Sequence, residues 1–105
     1  MAFKAAFLAH APDADPTKNR SVIETPKYKL FIILVRNQEQ AERECKRLLS
    51  DEGIHSVMLC PGFTNENVAD LSRALGGKVA VVVARGDGPG IKSVQEVMAK
   101  EGWFS

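Results

Sequence analysis

His10, Cys60 and Asp87 are the side chains with the chemistry to move a proton or attack an electrophile. Each follows an apolar run, so each is expected in the loop at the end of a β-strand. An imidazole there can act as general acid or base near neutral pH. A thiol just ahead of a helix N-terminus is favoured as thiolate and can be a nucleophile. Asp87, in Arg85-Gly86-Asp87-Gly88, can position a substrate hydroxyl or accept a proton. Each also has a plainer role: a hydrogen-bonded loop histidine, a small residue closing a strand, and an Asx-turn residue. A second set, Arg20, Gly62, Thr64, Asn65 and Arg85, has the means to bind. A guanidinium holds a carboxylate or phosphate bidentately, and backbone N–H groups at a helix start attract an anion. The joint expectation is a small anionic metabolite over the Pro61–Asn65 turn, clamped by Arg85, with Arg20 or His10 closing the site from the first loop. Whether catalysis follows stays open.

Metal and nucleotide chemistry have weaker support. His10-x-x-Asp13-x-Asp15 has ligand residue types, but the spacing matches no standard motif and Asp15 is already placed as a helix N-cap, so no metal is expected. The glycines of Gly86-Asp87-Gly88-Pro89-Gly90 do not make a dinucleotide fingerprint, and no P-loop lysine follows, so nucleotide signatures are absent and the cofactor question stays open. Cys45 falls on an apolar helical stripe and belongs to the core. His55 alternates with strand residues and is assigned to the surface or a subunit interface.

The elements that must position these groups alternate. Ala2–Ala9 reads as a strand, with Lys4 suggesting an edge. Asp15-Pro16 has the N-cap and first-turn residues of a short helix over Pro16–Glu24, closed by Thr25-Pro26. In Tyr28–Val35, the run from Leu30 shows no alternation, as in a strand covered on both faces. Asn37 and Gln40 have capping-box spacing, Ala41, Cys45, Leu48 and Leu49 form a buried stripe, and Gly53 ends that helix. Ile54–Cys60 and Val79–Ala84 read as strands, and Thr64–Leu75 as a helix. Ser93 and Glu96 form a second capping box opening a last helix. Together these predict one α/β domain over residues 1–105: an open, mostly parallel four-stranded sheet with helices on both faces, flavodoxin-like in style. An antiparallel first strand is the alternative at the first crossover.

Composition sets the outer limits. Fourteen basic and thirteen acidic residues among 105 give a net charge of +1, without a basic stripe, so nucleic acid and anionic membranes have no electrostatic case. No apolar run approaches the roughly 18 residues of a membrane span. The stretch MAFKAAFLAH lacks the uninterrupted apolar core of a signal peptide. Two cysteines without a CxxC pattern read as reduced thiols in a cytoplasmic protein. At about this length roughly a third of the unfolded chain's surface stays exposed, so a homo-oligomer is expected. In the alternative to metabolite binding, the domain is a non-catalytic structural or regulatory module that oligomerises through the first strand and the Trp103-Phe104 tail, and its polar loops merely solvate strand ends.

The segments Ala14-Asp15-Pro16, Arg20, Ile23-Glu24-Thr25-Pro26 and Leu59-Cys60-Pro61-Gly62-Phe63 resemble those of a family of short bacterial proteins, a domain of unknown function. Its motifs read ADPxxHR…IETP, LCGGFG and VVRFDG. The resemblance spans most of the chain up to Asp87 and implies no activity. This sequence departs from it at Asn19, where the family tends to have His, and at Pro61, where it has Gly. It also departs at Arg85-Gly86-Asp87, which lacks the family's Phe. A generic likeness of Leu30–Phe63 to one βαβ segment of sugar-acid aldolase barrels stops there, since a full barrel needs about twice this length.

Overall fold

The computed structural model describes residues 1–86 and 88–104. In chain order the elements are β1 (Phe3–His10), β2 (Arg20–Glu24), β3 (Tyr28–Val35), α1 (Gln38–Glu52), β4 (Ser56–Leu59), α2 (Asn65–Ala74), β5 (Ala80–Val83) and α3 (Gly88–Lys100). The strands form one five-stranded sheet in the order β2-β3-β1-β4-β5. β1 runs parallel to β3 and β4, β4 runs parallel to β5, and β2 is antiparallel to β3 at the edge. The first strand is therefore parallel and central. The fifth strand is the one absent from the sequence reading.

That extra strand lies where a helix over Pro16–Glu24 was expected. Asp15 does act as a cap, accepting from the Thr17 backbone N–H at 3.0 Å and the Thr17 hydroxyl at 2.7 Å. Only one turn follows, closed by Lys18 and Asn19 N–H groups on the Asp15 carbonyl. Arg20-Ser21-Val22-Ile23-Glu24 then extends, because β-branched Val22 and Ile23 suit a pleated edge and β3 offers an open ladder. Thr25 reverses the chain: its N–H donates to the Tyr28 carbonyl at 2.8 Å, and its hydroxyl accepts from Tyr28 N–H at 3.0 Å. The Thr25-Pro26 pair is a hairpin turn, not a helix stop.

α1 forms as its sequence implies. Asn37 Oδ1 accepts from Gln40 N–H at 2.8 Å, and Gly53 takes the left-handed φ of 66° that closes the helix. Its stripe, Ala41, Cys45 and Leu48, packs with Leu71 of α2 onto Leu8, Ile33, Val35, Val57 and Leu59 of the sheet. Burying each such Leu, Ile or Val contributes about 1.5–3 kcal/mol. The ladders put those sheet residues on one face. α1 and α2 both cover that face, and residues of alternate parity, such as Tyr28 and Met58, stay exposed. Helices on both faces were expected, and Leu30–Val35 was expected to be covered twice. Neither holds among the described residues. The reason is topological: the link from β1 to β3, whose crossover helix would lie on the opposite face, is spent on β2.

α3 starts at Gly88 rather than at the Ser93–Glu96 box, with Pro89 tolerated in its first turn. No residue of α3 is buried. Among the described residues, no helix is long and apolar enough to cross a membrane.

Candidate functional site at the strand ends

Among the parallel strands the order reverses at β1: the chain moves to one side for β3 and to the other for β4 and β5. In open α/β sheets the crevice beyond the carboxyl ends of strands at such a reversal is where ligands bind. Here β1 ends in His10, and β4 is followed by Cys60, so the two leading candidates meet at that crevice. The backbone N–H of His10 donates to Cys60 Sγ at 3.4 Å, and Cys60 N–H donates to the Leu8 carbonyl at 3.0 Å. Gly62 lies over both side chains, its missing β-carbon position 3.4 Å from Cys60 Sγ and 3.4 Å from His10 Nδ1.

Phe63 completes the group. Its fully buried ring lies against the imidazole with centroids 4.0 Å apart and a 41° tilt. Partial burial lowers the His10 pKa from its ordinary value of 6.5, because the charged form loses water, so the ring is neutral at pH 7. His10 Nε2 is buried and makes no hydrogen bond among the described residues. Gln38 Oε1, at the N-terminus of α1 after β3, is in the same condition, while Gln38 Nε2 donates to the Asn67 carbonyl at 3.1 Å. Buried polar atoms without partners are uncommon and cost about 1–3 kcal/mol each. Both of these belong to residues at the carboxyl end of the sheet.

The loop from Pro61 to Asn65 is held from two sides. Thr64 caps α2: its hydroxyl accepts from Asn67 N–H at 3.1 Å, and Asn67 Oδ1 accepts from Thr64 N–H at 2.9 Å. Arg85, just past β5, reaches across with Nη1 donating to the Phe63 carbonyl at 3.0 Å and the Pro61 carbonyl at 3.4 Å. Its Nη2 donates to Asn65 Oδ1 at 2.7 Å. Arg85 thus braces the turn and commits three of a guanidinium's five N–H groups to it.

A family model matches residues 3–99. The chain belongs to DUF6506, a family of unknown function. The DUF6506 match runs from the start of β1 to the last turn of α3, so the whole strand-end cluster lies inside it. Neither a curated protein nor a solved structure matches the chain.

Of the residues singled out in this DUF6506 sequence, His10, Cys60, Gly62, Thr64, Asn65 and Arg85 come together around one loop. Arg20 does not join them. It opens β2, and its Nη1 donates to Glu44 Oε1 of α1 at 2.9 Å and to the Pro16 carbonyl at 3.3 Å. Asp87 lies outside the described residues. Among those described, no group of three His, Cys, Asp or Glu is placed to hold a metal ion. His55 sits at the opposite end of the sheet, where its Nδ1 accepts from Lys4 N–H at 3.0 Å and its ring stacks on Phe3. Phe63 and Gln38 escaped sequence reasoning. The signal for Phe63 was a large apolar residue inside a Pro-Gly turn, which must bury itself against whatever ends the neighbouring strands.

Proposed function

We propose that the crevice between the ends of β1 and β4 binds a small metabolite carrying an anionic group. The observation behind this reading is the imidazole of His10, packed on Phe63 at the strand-order reversal with its buried Nε2 unpaired. A hydroxyl or amine of the ligand would pair with that nitrogen. The anionic group would lie toward the N-terminus of α2 and the two Arg85 N–H groups that make no hydrogen bond among the described residues. Any chemistry on the ligand would run through His10, which is neutral and can take a proton, or through the Cys60 thiol. Both cysteines are free, which supports a cytoplasmic setting for such a protein.

The test is a thermal-shift screen of wild type and Gly62→Val against phosphorylated and carboxylated metabolites. The added β-carbon lies 3.4 Å from Cys60 Sγ and from His10 Nδ1, at the near edge of ordinary contact, so the branched side chain crowds the space above both, and circular dichroism checks that the fold is kept. A ligand at a hundred times its Kd adds about 2.7 kcal/mol, a shift of about 10 °C or more for a domain near this size. A shift in wild type that Gly62→Val abolishes is expected. A panel without a hit, or a hit of equal size in both proteins, defeats the reading.

A second reading, an interaction module, is favoured by one specific observation: the face of the sheet away from α1 and α2 is apolar and exposed.

A further inference from the structure

We propose that the chain forms a two-fold dimer in which α3 of each copy lies on the uncovered sheet face of the other. This inference rests on no part of the strand-end reading. The ladders place Phe3, Phe7, Ile32, Met58 and Val82 on the uncovered face, with Ile23 of β2 beside them. The other positions of that parity are Ala, Leu, Ser or Tyr, so no charged side chain interrupts the face across five strands. Exposure reaches 50% at Phe3 and 46% at Met58. A groove of about 460 Å³ runs over it, lined by Phe3, Phe7, Tyr28, Ile32 and Met58 among others. Contiguous apolar patches above a few hundred Å² on a folded protein mark interaction surfaces.

α3 is the complementary piece. At 100° per residue, Ile91, Val94, Val97 and Met98 fall within about 120° of the helix surface, the width of a core-facing stripe. Lys92, Gln95, Glu96 and Lys100 occupy the remainder. Yet none of the stripe is buried: Val94 is 54% and Val97 59% exposed. A second groove, of about 410 Å³, follows this stripe between Val94, Val97, Met98 and Trp103. One cause accounts for both surfaces. The β1-to-β3 link brings no helix to the second face, so the chain has a sheet face without a helix and a helix without a sheet.

Two copies satisfy both needs, since a two-fold axis repeats each contact. A helix of 13 residues is about 20 Å long and, with side chains, about 10 Å wide. Strand spacing makes the sheet face about 19 Å across, and strand rise makes it about 26 Å long at the adjacent β1 and β3 but only about 13 Å at β4 and β5, so the helix is seated along the two long strands. Taking about 400 Å² per side for one such contact, two contacts remove about 800 Å² from each copy, the size of a stable interface. The joining surfaces are the faces of the strands. The edge of β1, expected to join subunits, is unavailable because β3 and β4 pair with it on both sides.

Light scattering after gel filtration at micromolar concentration should give twice the 11.5 kDa chain mass. Val97→Glu on α3 and Met58→Lys on the sheet should each give monomers, with association weakened about 100-fold or more by the charge buried at the contact. Both positions are exposed within one chain, so circular dichroism should remain that of wild type, and Val94→Arg is a second helix variant should Val97→Glu fail to fold. Mixed one to one, Val97→Glu and Met58→Lys chains should re-form a dimer. In that pair one contact is wild type, and the other sets glutamate against lysine. A monomeric wild type overturns the proposal. So does a dimer that survives in both α3 variants, as sheet-on-sheet packing would give, or a mixture that stays monomeric.

Discussion

Arg20 offers the sharpest division between a scaffold role and a ligand role. The Glu44 carboxylate it meets is 1% exposed, with Arg20 at 2.9 Å on Oε1 and Arg47 at 3.5 Å and Arg43 at 3.9 Å on Oε2. Arg20→Ala leaves Oε1 of a buried carboxylate without its close donor and releases the Pro16 carbonyl at the β2 turn. A charge-assisted hydrogen bond contributes about 1.5–3 kcal/mol, and breaking a fully buried pair costs about 3–5. The Arg20 side chain is itself 32% exposed and two other arginines remain, so water and rearrangement relieve part of the loss. About 2 kcal/mol is the resulting expectation. With a urea m-value of about 1.5 kcal/mol/M, the unfolding midpoint falls by about 1.3 M at unchanged slope. Glu44→Ala should also destabilise, and the double variant should lose less than the two single losses added, because the interaction is then removed only once. Denaturation of the four proteins followed by circular dichroism is sufficient. A midpoint in Arg20→Ala within about 0.2 M of wild type would refute the reasoning and return Arg20 to the ligand-contact set.

Other outcomes follow from the same geometry. Burial lowers the His10 pKa below 6.5, so as pH falls through 6.5 the unfolded chain takes up the proton first and stability drops until the folded-state pKa is passed. His10→Gln should remove that acid-side loss, and a wild-type-minus-variant stability that stays flat from pH 8 to 5 would contradict it. Cys45 is buried, and desolvation, aided by the Glu44 and Glu42 charges, pushes its thiol up to about 12. A disulfide reagent at pH 8 should therefore modify one thiol in the folded protein, lost in Cys60→Ser, and two only after unfolding; two fast thiols in the native protein would show Cys45 accessible. Arg85→Ala removes three hydrogen bonds to the Pro61–Asn65 loop and should cost about 1 kcal/mol, with faster amide exchange confined to Gly62–Asn65. Unchanged exchange there would mean that the turn holds itself.

Much of this fold was legible because local chemistry and tertiary structure agree. Asn37, the Ala41–Cys45–Leu48 stripe and Gly53 all specify α1, and α1 is where they place it. Tyr28–Val35 is a strand to the residue. The reading departed where one signal fits two structures. Asp15-Pro16 begins a helix or a single turn with the same hydrogen bonds, and the choice lay with β3, whose open edge rewards an extended Arg20–Glu24. An apolar strand without alternation likewise looks like one covered on both faces, yet among the described residues β3 is covered on one, because a helix reaches the second face only through the β1-to-β3 crossover. At the strand ends, the gathering of His10, Cys60 and Gly62 was legible because parallel neighbours bring their carboxyl ends to one edge of the sheet. The Phe63 contact and the Arg85 brace needed coordinates, since a side chain's reach across two loops leaves no trace in spacing.

The strand-end crevice itself is most directly tested by amide and imidazole NMR of the wild-type protein, titrated with phosphorylated and carboxylated metabolites. Saturable shifts are expected at His10, Cys60, Gly62 and Thr64–Glu66 and in the His10 ring, with the Glu44–Arg20 region silent. Shifts confined to Arg20 or the open sheet face, or none at any ligand concentration, would contradict a binding site between β1 and β4.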